Sequence, residues 1–478
     1  MVTNIYKTFH NTSNNWQLLR CFRNTTEINL NLNLRKFDNL NNLFANFQQL
    51  TTLNLANNCN LIGIQSLDHM FYYCSNLQNL DFSQWQTQTV TDFSGMFANC
   101  WGLQQLNISE WNVNNGIDLS NTFNYCYNLT TLDISNWNIS NVINLADMFY
   151  YCRKLTNLNI SNWDISNVIN LSGTFLECYN LTKLDVSNWN TSKIIDLYGT
   201  FEDCHNLTSL DVSKWNTNNI TNLSNTFMRC YNLTNLDVSN WNTSNISNLV
   251  SAFFYCSNLT NLDVSNWNTS KVTNLCDAFY SCKNLTILNV SKWNTSNVRS
   301  LSGMFMNCNN LTTLDVSNWN TSNVVNLGQT FWDCRNLITL DVSKWNTSKA
   351  NNLWGTFKDC YNLKELNLCN WNVSNVLNMQ SMFSYCYNLT NLNVDNWNMY
   401  KVTSLVNAFM KCNNLSNASL ESIGKALSTL NAQTKTFNNL SNLNQNGPFY
   451  QSTKYININT VTATTLAALQ ANGWIIPN

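Results

Sequence analysis

Proline is almost missing from this chain. Two occur in 478 residues, Pro448 and Pro477, both near the C-terminus. A backbone without proline can donate a hydrogen bond from every residue, as long stretches of paired strands require. Charge is scarce too. Asp, Glu, Lys and Arg make up 11% of residues, less than half the usual share, and the net charge is −1. No cluster of Lys or Arg stands out, so no nucleic-acid partner is expected. Histidine is limited to His10, His69 and His205, and neither a Ser/His/Asp arrangement nor a phosphate-binding glycine loop is present. On those grounds no catalytic residue and no cofactor are expected. No apolar run reaches the length of a membrane span, which argues against membrane insertion. The first residues, MVTNIYKTFHNTSNNWQLLRCF, contain no apolar core and no cleavage site, so a signal peptide is not expected there.

What the chain has in their place is a period. Fourteen cysteines stand 26 residues apart, from Cys74 to Cys412, without a slip of register. A fixed period of this length marks a solenoid, in which each unit buries its apolar face against its neighbours. The unit from Cys178 to Cys204 shows the plan. Lys183-Leu184-Asp185-Val186 alternates polar and apolar residues, the period of a strand, with Leu184 and Val186 inward and Asp185 outward. Ile194, Leu197, Phe201 and Cys204 are spaced 3, 4 and 3 apart, which predicts a short helix or 3₁₀ return. Tryptophans recur with the same period from Trp85 to Trp397, and a phenylalanine precedes each column cysteine by three, from Phe71 to Phe409. Superposed coils would stack these residues into ladders with a step of about 4.8 Å.

The spacing Leu181-x-x-Leu184-x-Val186-x-x-Trp189 resembles the leucine-rich-repeat core, with Trp where that family usually carries an inward Asn. An early unit, Leu50, Leu53, Leu55 and Asn58, keeps the ordinary form. The whole unit, of which NLTKLDVSNWNTSKIIDLYGTFEDC is one copy, resembles the BspA-like repeat of bacterial surface proteins, also called the mycoplasma-type surface repeat. The resemblance covers roughly residues 47–420. It implies a non-enzymatic binding or adhesion role, and related repeats also occur in phage-encoded proteins. The expected fold is therefore a right-handed, parallel α/β solenoid of leucine-rich-repeat type with terminal caps.

The expected layout is an N-terminal cap over 1–21, degenerate repeats over 22–73, regular repeats over 74–415 and a C-terminal cap over 416–478. In the last stretch, Ser419 is expected to N-cap a helix through Leu427, with a strand over Tyr455–Ile458, a helix over Thr464–Ala471 stopped by Gly473, and a closing strand over Trp474–Ile476. Glycosylation acceptors such as Asn190-Thr191-Ser192 recur in many units. Stacked about 4.8 Å apart, their glycans would not fit, so a prokaryotic or phage origin is expected over a eukaryotic secretory route. Release by lysis would then explain the missing leader.

The columns raise four chemistries. Neighbouring coils bring the cysteines within disulfide range, but the preferred reading is a buried small apolar residue carrying a free thiol. No paired C-x₂-C ligands favour zinc. The outward strand column, which includes Asp81, Asp133, Asp185, Asp211, Asp237, Asp263, Asp315 and Asp341, could be a calcium ladder. The preferred reading is local capping of backbone donors, since Asn107, Asn159 and Asn289 alternate with the acids. A uniform column also gives no reason for two carboxyls to divide acid and base roles, as a glycan-active enzyme would need.

The columns flanking the cysteine vary most. One position after it stand Trp101, Tyr127, Arg153, Tyr179, His205, Tyr231, Arg335, Tyr361 and Tyr387. One before it stand Tyr73, Tyr125, Tyr151, Arg229, Tyr255 and Tyr385, and two before it Tyr72, Tyr150, Phe254, Tyr280 and Trp332. Tyr, Trp and Arg are the types enriched at interaction surfaces. This aromatic ridge is the candidate binding surface, and ordinary packing between coils is its competitor. The expected partner is a protein or glycan on a cell surface, with the chain carried on a phage virion or a bacterial exterior. The alternatives are a structural virion role against neighbouring virion proteins, and a glycan-active enzyme.

Overall fold

The computed structural model describes residues 2–5, 20–30, 37–55, 61–431, 445, 447–457 and 459–477. The chain divides into two compact units, Met1–Trp241 and Asn242–Asn478, and each is a stack of parallel coils.

In the first unit, β1 (Val2–Ile5), β2 (Glu27–Leu30) and β3 (Thr52–Leu55) pair side by side, with Val2 opposite Glu27 and Glu27 opposite Thr52. The stretch expected as an N-terminal cap thus contributes a strand in step with the repeats. Next, β4 (Asn79–Asp81) and β5 (Gln105–Asn107) pair with Asn79 opposite Gln105. Beyond β5 the ladder thins to single bridges, such as Thr131 to Asn157 and Asn157 to Lys183. The strand expected over Lys183–Val186 is therefore one bridged residue. Its inside–outside pattern holds, with Leu184 and Val186 buried and Asp185 exposed. A second ladder that the sequence pattern does not announce runs through Asp92, Asp118, Asn144, Asn170 and Asp196.

The predicted helical return does not form. Over residues 119–126, Thr122, Asn124 and Cys126 donate their N–H groups three residues back, to Leu119, Asn121 and Phe123. The N–H groups between them go elsewhere. Asn121, Phe123 and Tyr125 donate to Ala146, Met148 and Tyr150 of the next coil, at 2.9, 2.9 and 2.7 Å. A helix would point every N–H along its own axis. Here every second one points to the next coil, and the chain keeps that alternation with a left-handed residue at every fourth position, Asn121 at φ 57° and Tyr125 at φ 57°. The 3, 4, 3 spacing of apolar residues suits this ribbon of turns as well as a helix, because each left-handed residue closes one turn. Gly173, at φ +61°, shows how tight it is: a Cβ there would fall 2.0 Å from the Asp147 carboxylate of the preceding coil.

Both units are filled by the expected ladders. Phenylalanine rings stack at 5.4–5.8 Å in the first unit and 5.4–5.9 Å in the second. Tryptophan rings stack nearly parallel at 6.1–6.4 Å in each, wider than the roughly 4.8 Å strand step. Most indole N–H groups reach a backbone carbonyl, as Trp215 does to Val186 at 3.2 Å. Those of Trp137, Trp163 and Trp189 have no partner within the protein. The column cysteines are buried free thiols. The Cys152 thiol donates to the Phe123 carbonyl at 3.1 Å, and Cys334 to Phe305 at 3.1 Å. Burial pushes their acidity away from the reactive range, with Cys100 raised to about 12. The column thiols should therefore resist a colorimetric thiol reagent in the native protein and react on denaturation, whereas the exposed Cys21 should react at once.

In the second unit, β6 (Glu365–Asn367) pairs with β7 (Asn391–Asn393), and two helices follow. The N-cap of α1 (Asn417–Ser428) is Ser416 rather than Ser419, since the Ser416 side chain accepts from the Ser419 N–H at 3.2 Å. Ser419 instead faces the last coil. Its hydroxyl accepts from the Leu392 N–H at 2.9 Å, Ser422 accepts from Val394 at 2.8 Å, and Thr429 accepts from Met399 at 2.8 Å. Three hydroxyls thus satisfy donors that a further coil would otherwise take. Phe449 continues the phenylalanine ladder, 5.1 Å from Phe409. The helix α2 (Ala463–Ala471) is N-capped by Thr462 and followed by Gly473 at φ 77°. No strand forms at Tyr455–Asn457, where Thr460 bonds back to the Asn457 backbone and turns the chain; Ile458 lies outside the described residues. At Trp474–Ile476 only Ile475 makes a bridge. Ser419→Ala with Ser422→Ala should leave two buried amides unpaired, at a cost of about 1–3 kcal/mol each. Hydrogen exchange at Leu392 and Val394 should accelerate while that at Phe227 stays unchanged.

Candidate functional site

The columns flanking the cysteine lie where the turn ribbon gives way to the strand ladder. The position just before each column cysteine is left-handed in all fourteen coils, from Tyr73 at φ 61° to Lys411 at φ 61°. So is the position five before it, from His69 to Asn407. The two are filled differently. The outer of the pair, five before, uses glycine five times: Gly95, Gly173, Gly199, Gly303 and Gly355. The position next to the cysteine never does. It carries five tyrosines, four acids (Glu177, Asp203, Asp333, Asp359), Arg229, Lys411 and small polar residues. A non-glycine residue there costs roughly 1–2 kcal/mol, so its side chains must return something that glycine cannot.

In the first unit the predicted residues come together. The rings of Tyr125 and Tyr151 stack at 4.3 Å. The guanidinium of Arg153 lies 4.2 Å from the Tyr151 ring, 4.5 Å from Tyr179 and 5.7 Å from Tyr127, and pairs with Glu177. Tyr179 donates to the same carboxylate at 2.7 Å and stacks on His205 at 4.2 Å, which in turn meets Tyr231 at 4.7 Å. His205 and Arg229 both pair with the buried Asp203, at 2.9 and 3.3 Å. Nearer the start, Tyr73 meets Trp101 edge-on at 5.1 Å. Trp101 and Tyr127 are the exposed members; the other predicted residues are half-buried.

The second unit repeats the theme with other residues. Lys358 sits 3.9 Å over the Trp332 ring, whose indole N–H donates to Asp359 at 2.9 Å. Arg335 lies 5.3 Å over Tyr361, which meets Tyr387 at 5.2 Å, and Tyr387 meets Tyr385 at 5.9 Å. Tyr255 meets Tyr280 at 5.3 Å. The aromatic residues are thus brought together as three or more local clusters, and much of their area is spent on one another.

Sequence reasoning missed the acids of the ridge, because it searched the columns for aromatic and Arg residues. The signal that finds them is a left-handed column that avoids glycine. It also missed a stripe of exposed isoleucines in the first unit, Ile117, Ile143, Ile169 and Ile195, whose backbones form a ladder of bonds at 2.8–3.0 Å. Their common spacing of 26 residues was the available sign.

The strand column behaves as local capping predicts. Ser135 donates its N–H at 3.1 Å and its hydroxyl at 2.7 Å to Asp133, and the same pair recurs at Asp185, Asp211, Asp237, Asp315 and Asp341. These serine bonds hold the Asp133, Asp211, Asp263 and Asp341 carboxyls below their ordinary range. Two open grooves run over this face, one in each unit. That in the second, about 920 Å³, is lined by residues including Asp315, Asp341, Glu365, Asn393 and Ser419. Among the described residues no group of three or more His, Cys, Asp or Glu could share a metal ion, and no helix is long and apolar enough to cross a membrane.

One carboxyl stands apart. Burial raises Glu202 to about 7, against the bond it accepts from Asn225 at 3.1 Å. It lines neither groove. A carboxyl raised in the folded state leaves stability untouched while both states are protonated. Stability then falls as pH climbs from the unfolded value near 4.5 to about 7, and levels off beyond. Glu202→Gln should remove that loss, a gain of ~1 kcal/mol at pH 8 after allowance for solvent screening. Melting temperatures of the two proteins should coincide at pH 4 and separate by pH 8.

The coils, ladders and parallel register define a leucine-rich-repeat solenoid in each unit. Six overlapping stretches, 65–183, 154–259, 222–337, 247–366, 307–423 and 336–450, match the family described as Mycoplasma protein of unknown function, DUF285. They span most of the chain, and the protein belongs to that family. No curated protein was found to match it. Solved structures that resemble it include a leucine-rich repeat protein from Bacteroides ovatus ATCC 8483, at 16% identity over 69% of this chain and 76% of that one, TM-score 0.39. A leucine-rich cell surface protein from Faecalibacterium prausnitzii A2-165 matches at 15% identity over 74% and 81%, TM-score 0.32. A leucine-rich-repeat protein from Leptospira interrogans matches at 15% identity over 99% and 100%, TM-score 0.26. Resemblance at this level says nothing of ligands.

Proposed function

We propose that the protein is a non-enzymatic recognition solenoid, that the ridge beside the cysteine column is its working surface, and that its ligand is a protein or glycan displayed on a cell surface. In this reading the chain works outside the cell, on a virion or a bacterial exterior. The supporting observation is the column of fourteen left-handed residues without one glycine. A position held at a steady backbone cost for Tyr, Arg and acids is a position selected for its side chains. Packing between coils accounts for part of that selection, since Tyr125 and Tyr151 stack on each other. It does not account for Trp101 and Tyr127, which are 40% and 38% exposed. Rigid aromatic groups of this kind make contact area at low entropy cost. The non-enzymatic reading draws on the uniformity of the strand column, whose acids share one environment and one serine partner.

Replacing Tyr125, Tyr127, Tyr151 and Tyr179 with Ser should weaken binding to host cells by about ten- to a hundredfold, as the loss of one or two hot spots does. Circular dichroism checks that the variant is folded, and Thr156→Ala on the strand face serves as the control that keeps its binding. A folded variant that still binds fully would end this reading. Proteomics of purified particles and of washed host cells decides between virion and bacterial surface.

A further inference from the structure

Five base–acid pairs along the ridge are layered the same way. The Arg335 side chain is 52% exposed and its partner Asp333 12%. Arg229 is 40% exposed over Asp203 at 8%, His205 is 30% exposed over the same Asp203, and Arg153 is 27% exposed over Glu177 at 14%. Lys358 follows at 23% over Asp359 at 16%. The acids occupy the left-handed position before the cysteine, and the bases sit beside them. What a ligand meets is therefore positive and aromatic, although the chain as a whole carries −1.

We infer that the outward face of the ridge in the second unit, centred on Arg335, takes an anionic polysaccharide. The inference rests on the ridge being the binding surface and adds the ligand's chemistry. Arg335 is held from below: its Nη2 donates to Asp333 at 3.1 Å, and Asn309 donates to the same carboxylate at 3.0 Å. That fixes the plane of the guanidinium before any ligand arrives, while its remaining edge faces solvent. A sulfate or carboxylate can bond that edge with charge-assisted hydrogen bonds. The half-buried ring of Tyr387 beside it supplies a flat face for the apolar side of a sugar ring, while Tyr361 and Trp332 carry Arg335 and Lys358 on their faces and hold those cations in place. A neutral glycan would use the Tyr387 ring and leave the cations idle. A nucleic acid would need more positive charge than this surface holds. Lys283 and Arg335 share a column two coils apart, about 10 Å, and nucleic-acid phosphates are far denser.

The test uses the full chain and four immobilised or titrated probes: chondroitin sulfate, hyaluronan, neutral dextran and poly(dT). Binding to the two anionic polysaccharides, weak binding to dextran and weaker binding to poly(dT) is the expected pattern. Arg335→Gln with Lys358→Gln should reduce chondroitin sulfate binding about tenfold, and Arg335→Lys should recover part of it. Asp333→Asn is the sharper variant. Asn tolerates the left-handed backbone of residue 333 at φ 63°, and with its oxygen in the place of Oδ2 it still accepts from Asn309 and from the Arg335 Nη2, so the guanidinium stays oriented while the opposing charge is gone, and binding should rise severalfold. A purely structural role for the pair predicts a fall. Dextran binding equal to chondroitin sulfate, tighter binding to poly(dT), no binding to either anionic polymer, or weaker binding by Asp333→Asn would each overturn the inference. None of these outcomes touches the tyrosine-to-serine test on cells, so a ridge that recognises something else remains separable from a ridge that recognises nothing.

Discussion

The fold rests on how the turn ribbon shares its backbone donors. Along residues 119–126, alternate N–H groups close local turns and the others bond the next coil. Neither set alone would hold. Turns without the outward bonds would leave buried donors unpaired, and outward bonds without turns would need an ordinary strand. The sharing fixes two left-handed residues per coil at constant distance from the cysteine. An insertion of one residue would place the wrong side chain at a left-handed position and move a core residue outward. Strict conservation of the 26-residue spacing from Cys74 to Cys412 follows from that intolerance.

Much of this is legible in the sequence. The period announces stacked coils, and the Leu184, Val186, Trp189, Phe201 and Cys204 positions are all buried as their columns predict. The capping role of the strand acids was legible too, because Asn and Asp interchange there. The ribbon was not. Apolar residues three and four apart satisfy a helix and a chain of left-handed turns equally, and hydrophobic spacing reports which side faces the core, not where the N–H groups point. The choice of Ser419 as N-cap failed for a related reason. Ser416 and Ser419 are both plausible caps in sequence, and only the open edge of the last coil decides that the second hydroxyl is needed for Leu392.

The ridge was half legible. Aromatic residues stand out in a column by type, and the structure brings Tyr125, Tyr151, Tyr179 and Tyr231 into two adjoining stacks. The acids do not stand out, because Glu177 and Asp203 look like ordinary surface residues until their backbone angle and burial are known. Once both are known, the aromatic and ionic parts become one system. Arg153 is held simultaneously by the Glu177 carboxylate and by the faces of Tyr151 and Tyr179. Removing a ring loosens a cation, and removing an acid exposes it.

The contrast between the two left-handed positions sharpens what such columns can reveal in repeat proteins. Both sit in the same ribbon, both make the same pattern of bonds, and both bear the same intrinsic strain. One is relieved by glycine in five coils and the other in none. Since backbone geometry is shared, the difference must come from the side chains' surroundings. Five before the cysteine, residues crowd the preceding coil, as Gly173 does against Asp147, and a missing Cβ relieves the strain and the clash together. One before the cysteine, side chains reach the ridge, where a missing Cβ would forfeit a stack or an ion pair. A repeat protein compares its own copies under one geometry, so a strained column that refuses glycine marks side chains with work to do.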